Sequence, residues 1–153
     1  MGEATPKVGT SASGAIMHYS VGAVISRDGK YLIVDRVKIP LGHAGIAGHV
    51  DKGEQPADAI RRETEEECGL SVIGTPRLLF SEEINNPCSK GVGVHFWFLY
   101  EVEVAEGNVR LEQGKAKSIG WFTPEEIRSL QLEPIWEYWF RKLGVIVEAS
   151  DSR

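Results

Sequence analysis

The stretch Gly48-His-Val-Asp-Lys-Gly-Glu54-Gln-Pro-Ala-Asp-Ala-Ile-Arg-Arg62-Glu63-Thr-Glu-Glu66-Glu67-Cys-Gly69-Leu70 joins a glycine-flanked loop to a helix. Pro56 suits a first helical turn and Gly69 a left-handed stop, so the helix is predicted over Pro56 to Cys68. At roughly 100° per residue, Glu63, Glu66 and Glu67 share an arc of about 100°. Ala57, Ile60, Thr64 and Cys68 form a neighbouring, mostly apolar arc, and Asp58, Arg61, Arg62 and Glu65 fall on the far side. The helix thus has a core face, a solvent face and an acidic shoulder. Stacked like charges three and four residues apart cost about 0.2–0.5 kcal/mol per pair unless compensated. A hard divalent cation such as Mg²⁺, which takes carboxylate oxygens, water and phosphates, compensates them and suits phosphoryl chemistry.

This segment resembles the Nudix box, GX5EX7REUXEEXGU, with U a bulky apolar residue. Gly48, Glu54, Arg62, Glu63, Glu66, Glu67, Gly69 and Leu70 all match. Seven of these are single-letter requirements, so a chance match is on the order of one in a million at ordinary residue frequencies. Thr64 departs at the first U position, Ala47 stands where many members have a second glycine, and Gln55 replaces a Ser or Thr cap. Thr64 is close to valine in shape and can bond its hydroxyl back along the helix.

The resemblance implies a Nudix-type α/β/α sandwich with a central mixed β-sheet. It implies Mg²⁺, with Mn²⁺ able to substitute, held by Glu63, Glu66 and Glu67 with the backbone carbonyl of Ala47, and Glu112 as a further candidate ligand. Glu63 and Glu66 are the catalytic candidates, with Glu63 favoured as base. Glu54 and Arg62 are expected to pair and fix the loop onto the helix, as partners of metal ligands do. Arg36 resembles a position facing substrate phosphates. The implied reaction is cleavage of the P–O–P bond of a nucleoside diphosphate linked to another moiety. The competing reading is a Nudix-fold ligand-binding or sensor module without catalysis; retention of the box carboxylates weighs against it. An isomerase would require a different metal and cysteine arrangement, and Cys68, on the buried arc, makes a poor nucleophile.

Outside the box, Tyr19 to Ser26 and Tyr31 to Arg36 read as strands joined at the Asp28-Gly29 hairpin signal. Val72 to Glu82 and Val92 to Val104 read as a second strand pair, and Ile119 to Phe122 as a short strand. Thr123-Pro124-Glu125-Glu126 reads as a capping box. A last helix is predicted over Pro134 to Leu143. Its Trp136 to Phe140 face points to packing or a homodimer contact rather than base stacking, and His95 and Trp97 read as core or sheet packing. The mixture indicates α/β with a mixed sheet between helices. One domain is expected over residues 15–147, with a loose tail at 1–14, rich in Gly, Ser, Thr and Pro, and a frayed tail at 148–153.

At 153 residues the chain suits one core. A net charge of −5 disfavours polymeric nucleic acid as partner but not a small nucleotide-like diphosphate. Cys68 and Cys88 are too few for a disulfide framework, and their spacing carries no zinc signal. No run reaches the 18 or so apolar residues of a membrane span, no signal peptide is expected because the basic-then-apolar pattern is missing, and Pro6 breaks the myristoylation pattern. A reduced, cytoplasmic setting is expected.

Overall fold

The computed structural model describes residues 5–88, 90–112, 114 and 116–147. The tail expected at 148–153 and residues 1–4 lie outside the described residues. The elements are β1 (Val8–Thr10), β2 (Ile16–Val24), β3 (Ser26–Arg27), β4 (Lys30–Arg36), β5 (His43–Ala44), β6 (Ile46–His49), α1 (Pro56–Cys68), β7 (Val72–Asn85), β8 (Val94–Val104), β9 (Ala116–Phe122), α2 (Pro124–Arg128) and α3 (Pro134–Lys142).

Strand β2 organises the larger sheet. It runs parallel to β8, with His18 opposite His95 and Gly22 opposite Leu99. β8 in turn pairs antiparallel with β7. The other edge of β2 is shared in succession by β1 and β6, both antiparallel to it. The sheet is therefore mixed, as expected. A second sheet is antiparallel throughout and centres on β4, flanked by β3, β5 and β9. The β3–β4 turn places Asp28 at φ 53° and Gly29 at φ 78°, the two positive angles of a type I′ hairpin.

Within the segment expected as a loose tail, the described residues 5–14 include paired backbone. Val8 pairs with His18, Lys7 N–H donates to the Val50 carbonyl at 2.8 Å, and Lys52 N–H donates to the Thr5 carbonyl at 2.7 Å. Small polar residues cannot build a core, but an open strand edge satisfies their backbone groups and offsets part of the entropy cost of ordering them. Composition registers the missing apolar side chains and not the available edge.

Successive strand residues face opposite sides of a sheet. Gly48, opposite Val21, faces α1, while Ala47, opposite Gly22, faces α3. Helix α1 packs on β2, β6 and β7, burying Ala59, Ile60, Thr64 and Cys68. Ala59 takes the fully buried place expected of Ala57, which is half-buried. Helix α3 covers the other face and completes the α/β/α sandwich. Trp136, Trp139 and Phe140 are buried in the core. Each such aromatic covers roughly 150–250 Å², a transfer contribution of roughly 4–6 kcal/mol before entropy is subtracted. The Trp136 ring lies flat enough on the sheet that a Cβ at Gly45 would sit 2.6 Å from it, and one at Gly22 would sit 3.0 Å away. Among the described residues no helix is long and apolar enough to cross a membrane.

Candidate active site

The acidic helix reaches its cavity over a gap in strand β6. Gly48 has no positive φ, so its backbone does not require glycine. Space does: a Cβ there would lie 2.0 Å from Glu63 Oε2 and 2.1 Å from its Cδ. The Glu63 carboxylate lies against that bare backbone. From there it lines an open cavity of about 490 Å³ with Glu66, Glu67, Arg62, Ala47 and Arg36. Thr64 departs from expectation: its hydroxyl is buried with no hydrogen-bond partner among the described residues, so it does not bond back along the helix.

Arg62 ties the loop to the helix. Its Nε donates to Glu54 Oε2 at 2.9 Å and its Nη2 to Glu54 Oε1 at 3.0 Å, a bidentate pair. Nη2 also donates to the His49 carbonyl at 3.1 Å and approaches Asp51 at 3.3 Å. Nη1 donates to Glu63 at 3.1 Å and to Glu66 at 3.5 Å. Glu54 Oε1 accepts in addition from the Asp51 N–H at 3.0 Å. The hydrogen bond from Arg62 holds the Glu54 carboxyl below the usual carboxylate range, and Glu54 in turn raises the Arg62 guanidinium further.

Glu63 and Glu67 both shift upward, opposite to Glu54. Burial pushes the Glu63 carboxyl up, against the opposing pull of its hydrogen bond to Glu67 and of Arg62. Burial, then the charge and hydrogen bond of Glu63, push Glu67 well above the usual range. Two carboxyls one hydrogen bond apart cannot both ionise cheaply, so without a cation they share a proton. This all-oxygen, charge-repelling set fits a hard divalent cation, which would displace that proton.

The cationic wall comes from Arg36, at the end of β4. Its Nε donates to the Pro40 carbonyl at 2.7 Å and lies 3.7 Å from Glu133. Glu133, just before α3, is 5% exposed, and burial pushes its carboxyl up to about 7 despite Arg36. Ala47 also lines the cavity. Glu112 is half-buried and does not line the cavity, although its charge reaches Glu67.

Three histidines meet beside the carboxylates. His18 on β2, His49 on β6 and His95 on β8 have ring centroids 5.0–5.8 Å apart. Burial is the main reason all three imidazoles stay below the usual histidine range, His49 at about 4. His95 Nδ1 donates to the Asn86 carbonyl at 2.8 Å, and Trp97 Nε1 donates to the Asn86 side chain at 3.0 Å.

The model of the NUDIX domain matches residues 17–143 of the chain. The chain belongs to the NUDIX family. As a NUDIX protein it is a hydrolase acting on diphosphate bonds. Among solved structures it is similar to a NUDIX hydrolase from Nitrosomonas europaea, at 23% identity and TM-score 0.67, over 88% of this chain and 95% of that one. It is also similar to a MutT NUDIX hydrolase from Burkholderia pseudomallei, at 24% identity and TM-score 0.69, over 80% and 94% of the two chains. A third similar structure is the NUDIX domain of Shewanella oneidensis NrtR, crystallised with ADP ribose, at 16% identity and TM-score 0.65, over 82% and 87%. These likenesses establish a shared fold. No curated protein matches the chain.

Within this NUDIX fold the structure brings Glu63, Glu66, Glu67, Arg62, Ala47 and Arg36 to one cavity, with Glu54 clasping Arg62 behind it. Sequence reasoning missed Glu133, His49 and Cys88, which line the same cavity. His95, read as packing, is buried as expected but also lines the cavity. A glutamate directly before a proline-initiated aromatic helix was the one visible signal for Glu133. The histidines had none, because strand pairing alone assembles them.

Proposed function

We propose that the chain is a Mg²⁺-dependent pyrophosphohydrolase that cleaves the P–O–P bond of a nucleoside diphosphate linked to another moiety, with Mn²⁺ able to replace Mg²⁺. The observation that carries this reading is the convergence of Glu63, Glu66 and Glu67 on one cavity that Arg36, Lys38 and Lys90 also line. Glu63, Glu66 and Glu67 with the Ala47 carbonyl are the residues that would hold the cation, and Glu112 stands behind Glu67 as an electrostatic neighbour. A cation held there neutralises pyrophosphate charge and makes a nearby water more acidic. Glu63 is the favoured acceptor of the water's proton: its Oε2 is fixed by Arg62 and by the close approach of the Gly48 backbone. Arg36, already anchored at Pro40, orients the diphosphate from the opposite wall. Lys38 and Lys90, which line the same cavity, add cationic charge for phosphate oxygens. The ADP ribose bound by the NrtR domain is a compound of the proposed class: a nucleoside diphosphate joined to a sugar.

The test is a panel of nucleoside diphosphate derivatives, ADP ribose included, incubated with the protein and Mg²⁺ or Mn²⁺, with products identified. Glu63→Gln and Glu66→Gln are each expected to lower kcat about 10²-fold or more with a smaller change in KM, the scale of losing a proton acceptor or a positioning group. Activity is expected to vanish with EDTA. If the metal-loaded chain binds a panel member tightly and cleaves none, the catalytic reading fails and the sensor-module reading replaces it.

A further inference from the structure

Four side chains that the proposed hydrolysis does not use converge on one point. His18, His49, Cys88 and His95 each direct one ligand atom into a cluster whose atoms all lie within 4.8 Å of one another. Three come from adjacent strands: His18 pairs directly with His95 across β2 and β8, and His49 pairs with Ser20 across β6 and β2. Cys88 comes from the turn that links β7 to β8, where Gly91 N–H donates to the Cys88 carbonyl at 3.0 Å and Cys88 N–H to the Val92 carbonyl at 3.1 Å.

The hydrogen bonding around the cluster is incomplete in a directed way. His95 is 1% exposed, and its Nδ1, facing a carbonyl oxygen, must carry the proton. Its Nε2 then holds a lone pair and is buried with no partner. His18 is 7% exposed, and its Nδ1 is likewise buried without a partner. Leaving a buried polar atom unpaired costs about 1–3 kcal/mol. An imidazole that donates one N–H to a carbonyl and presents its other nitrogen bare is how proteins hold a metal-binding histidine. Asn86 supplies that carbonyl and is itself fixed by Trp97.

We propose that His18, His49, His95 and Cys88 form a zinc site, separate from the carboxylates of α1. Three imidazoles and a thiol are a nitrogen–sulfur set that favours Zn²⁺ over the oxygen-seeking Mg²⁺. Four protein ligands fill a tetrahedron, so the site is closed and structural. It pins the β7–β8 turn to β2 and β6, and so sets the position of the cavity wall that Asn86, Pro87 and Lys90 supply. Tetrahedral zinc bonds of roughly 2.0–2.3 Å place ligand atoms about 3.3–3.8 Å apart. Binding therefore draws the present cluster inward by about 1 Å, within reach of side-chain rotation. Lys90, the lysine of that turn, is exposed and can turn to solvent. The inference does not rest on the hydrolase reading.

The test uses the full chain, stripped of metal and titrated with Zn²⁺ or, as a spectroscopic probe, Co²⁺. We expect one tightly bound Zn²⁺ per chain in excess Mg²⁺, a raised Tm, and a Co²⁺ spectrum with tetrahedral ligand-field bands and thiolate-to-cobalt charge transfer. Cys88→Ser, in a half-exposed turn, is expected to abolish the charge-transfer band and weaken Zn²⁺ at least 10-fold. His49→Gln, more exposed than the buried His95, provides a second variant with the same expected loss of affinity. The double variant Glu66→Gln/Glu67→Gln is expected to retain Zn²⁺. Failure to bind Zn²⁺, binding that survives both Cys88→Ser and His49→Gln, or binding lost in the glutamate double variant would each overturn the proposal.

Discussion

Replacing Gly48 by alanine tests whether the bare backbone of β6 positions the acidic helix. The added Cβ would lie 2.0 Å from Glu63 Oε2, 2.1 Å from Cδ and 2.6 Å from Cγ. Comfortable contact needs about 3.5 Å, so the shortfall at the carboxylate is about 1.5 Å. Strand β6 cannot retreat, because Gly48 is held in register opposite Val21. The Glu63 side chain must therefore swing away, breaking its 3.1 Å bond from Arg62 and its bond to Glu67. Two partly exposed interactions of this kind are worth about 0.2–1 kcal/mol each. The expected loss of stability is thus about 1 kcal/mol, which moves Tm by roughly 2–4 °C in a domain of this size. Function suffers far more, since a misplacement of about 1 Å can cost 10²-fold. We expect Gly48→Ala to weaken Mn²⁺ at least 10-fold by calorimetry and to lower kcat about 10²-fold while melting within a few degrees of wild type. Metal affinity and kcat within twofold of wild type would refute the reasoning. A fall in Tm beyond about 10 °C would show that the strand gave way rather than the side chain.

Three further outcomes follow from the same geometry. Glu54→Gln and Arg62→Gln should each reduce activity, and the double variant should lose less than the sum; strict additivity in the cycle would mean the bidentate pair contributes nothing. The Glu133 carboxyl keeps its proton to about 7 in the folded chain, against 4.5 for an ordinary glutamate. The folded state therefore binds more protons between those values, and stability falls as pH rises through that window, by at most about 3 kcal/mol. Glu133→Gln removes that fall, so its Tm relative to wild type should rise between pH 5 and pH 8; a pH-independent difference would reject the assignment. Deleting residues 1–13 removes β1 and the bonds of Lys7 and Thr5, and should lower Tm by several degrees in thermal melts; an unchanged Tm would mean the paired edge adds no stability.

Legibility in the sequence followed locality. Helix α1 was readable end to end because Pro56, the apolar spacing and Gly69 act within a few residues of one another. The capping box at Thr123 and Glu126 is local too, and it forms with both bonds expected of it. The carboxylates were legible because one helix carries them all. What escaped depends on distant pairing. The ordering of β1 needs the free edge of β2, and its composition of glycine, serine and threonine says nothing about that edge. Glu133 is buried only because α3 folds over the sheet and carries it to Arg36. His18, His49 and His95 are separated in sequence, and only the parallel register of β2 with β8 and the antiparallel register of β2 with β6 set them face to face. Glu112 fell on the margin: its charge is felt at Glu67, yet it stands off the cavity wall.

The start of α1 has no side-chain cap: the Gln55 carbonyl accepts from the Ala59 N–H at 2.9 Å, but its side chain makes no hydrogen bond to the first turn. What holds that turn in its place is remote, through Arg62 reaching back from the second turn to Glu54 and the His49 carbonyl. A helix capped by its own neighbour can fray and re-form by itself, exchanging its first amide hydrogens without disturbing anything else. In α1 the loop cannot open without releasing Arg62, and releasing Arg62 frees Glu63 and Glu66 as well. Local opening and disassembly of the acidic site are therefore one cooperative event, and the amides of the first turn exchange at the rate at which the site itself comes apart.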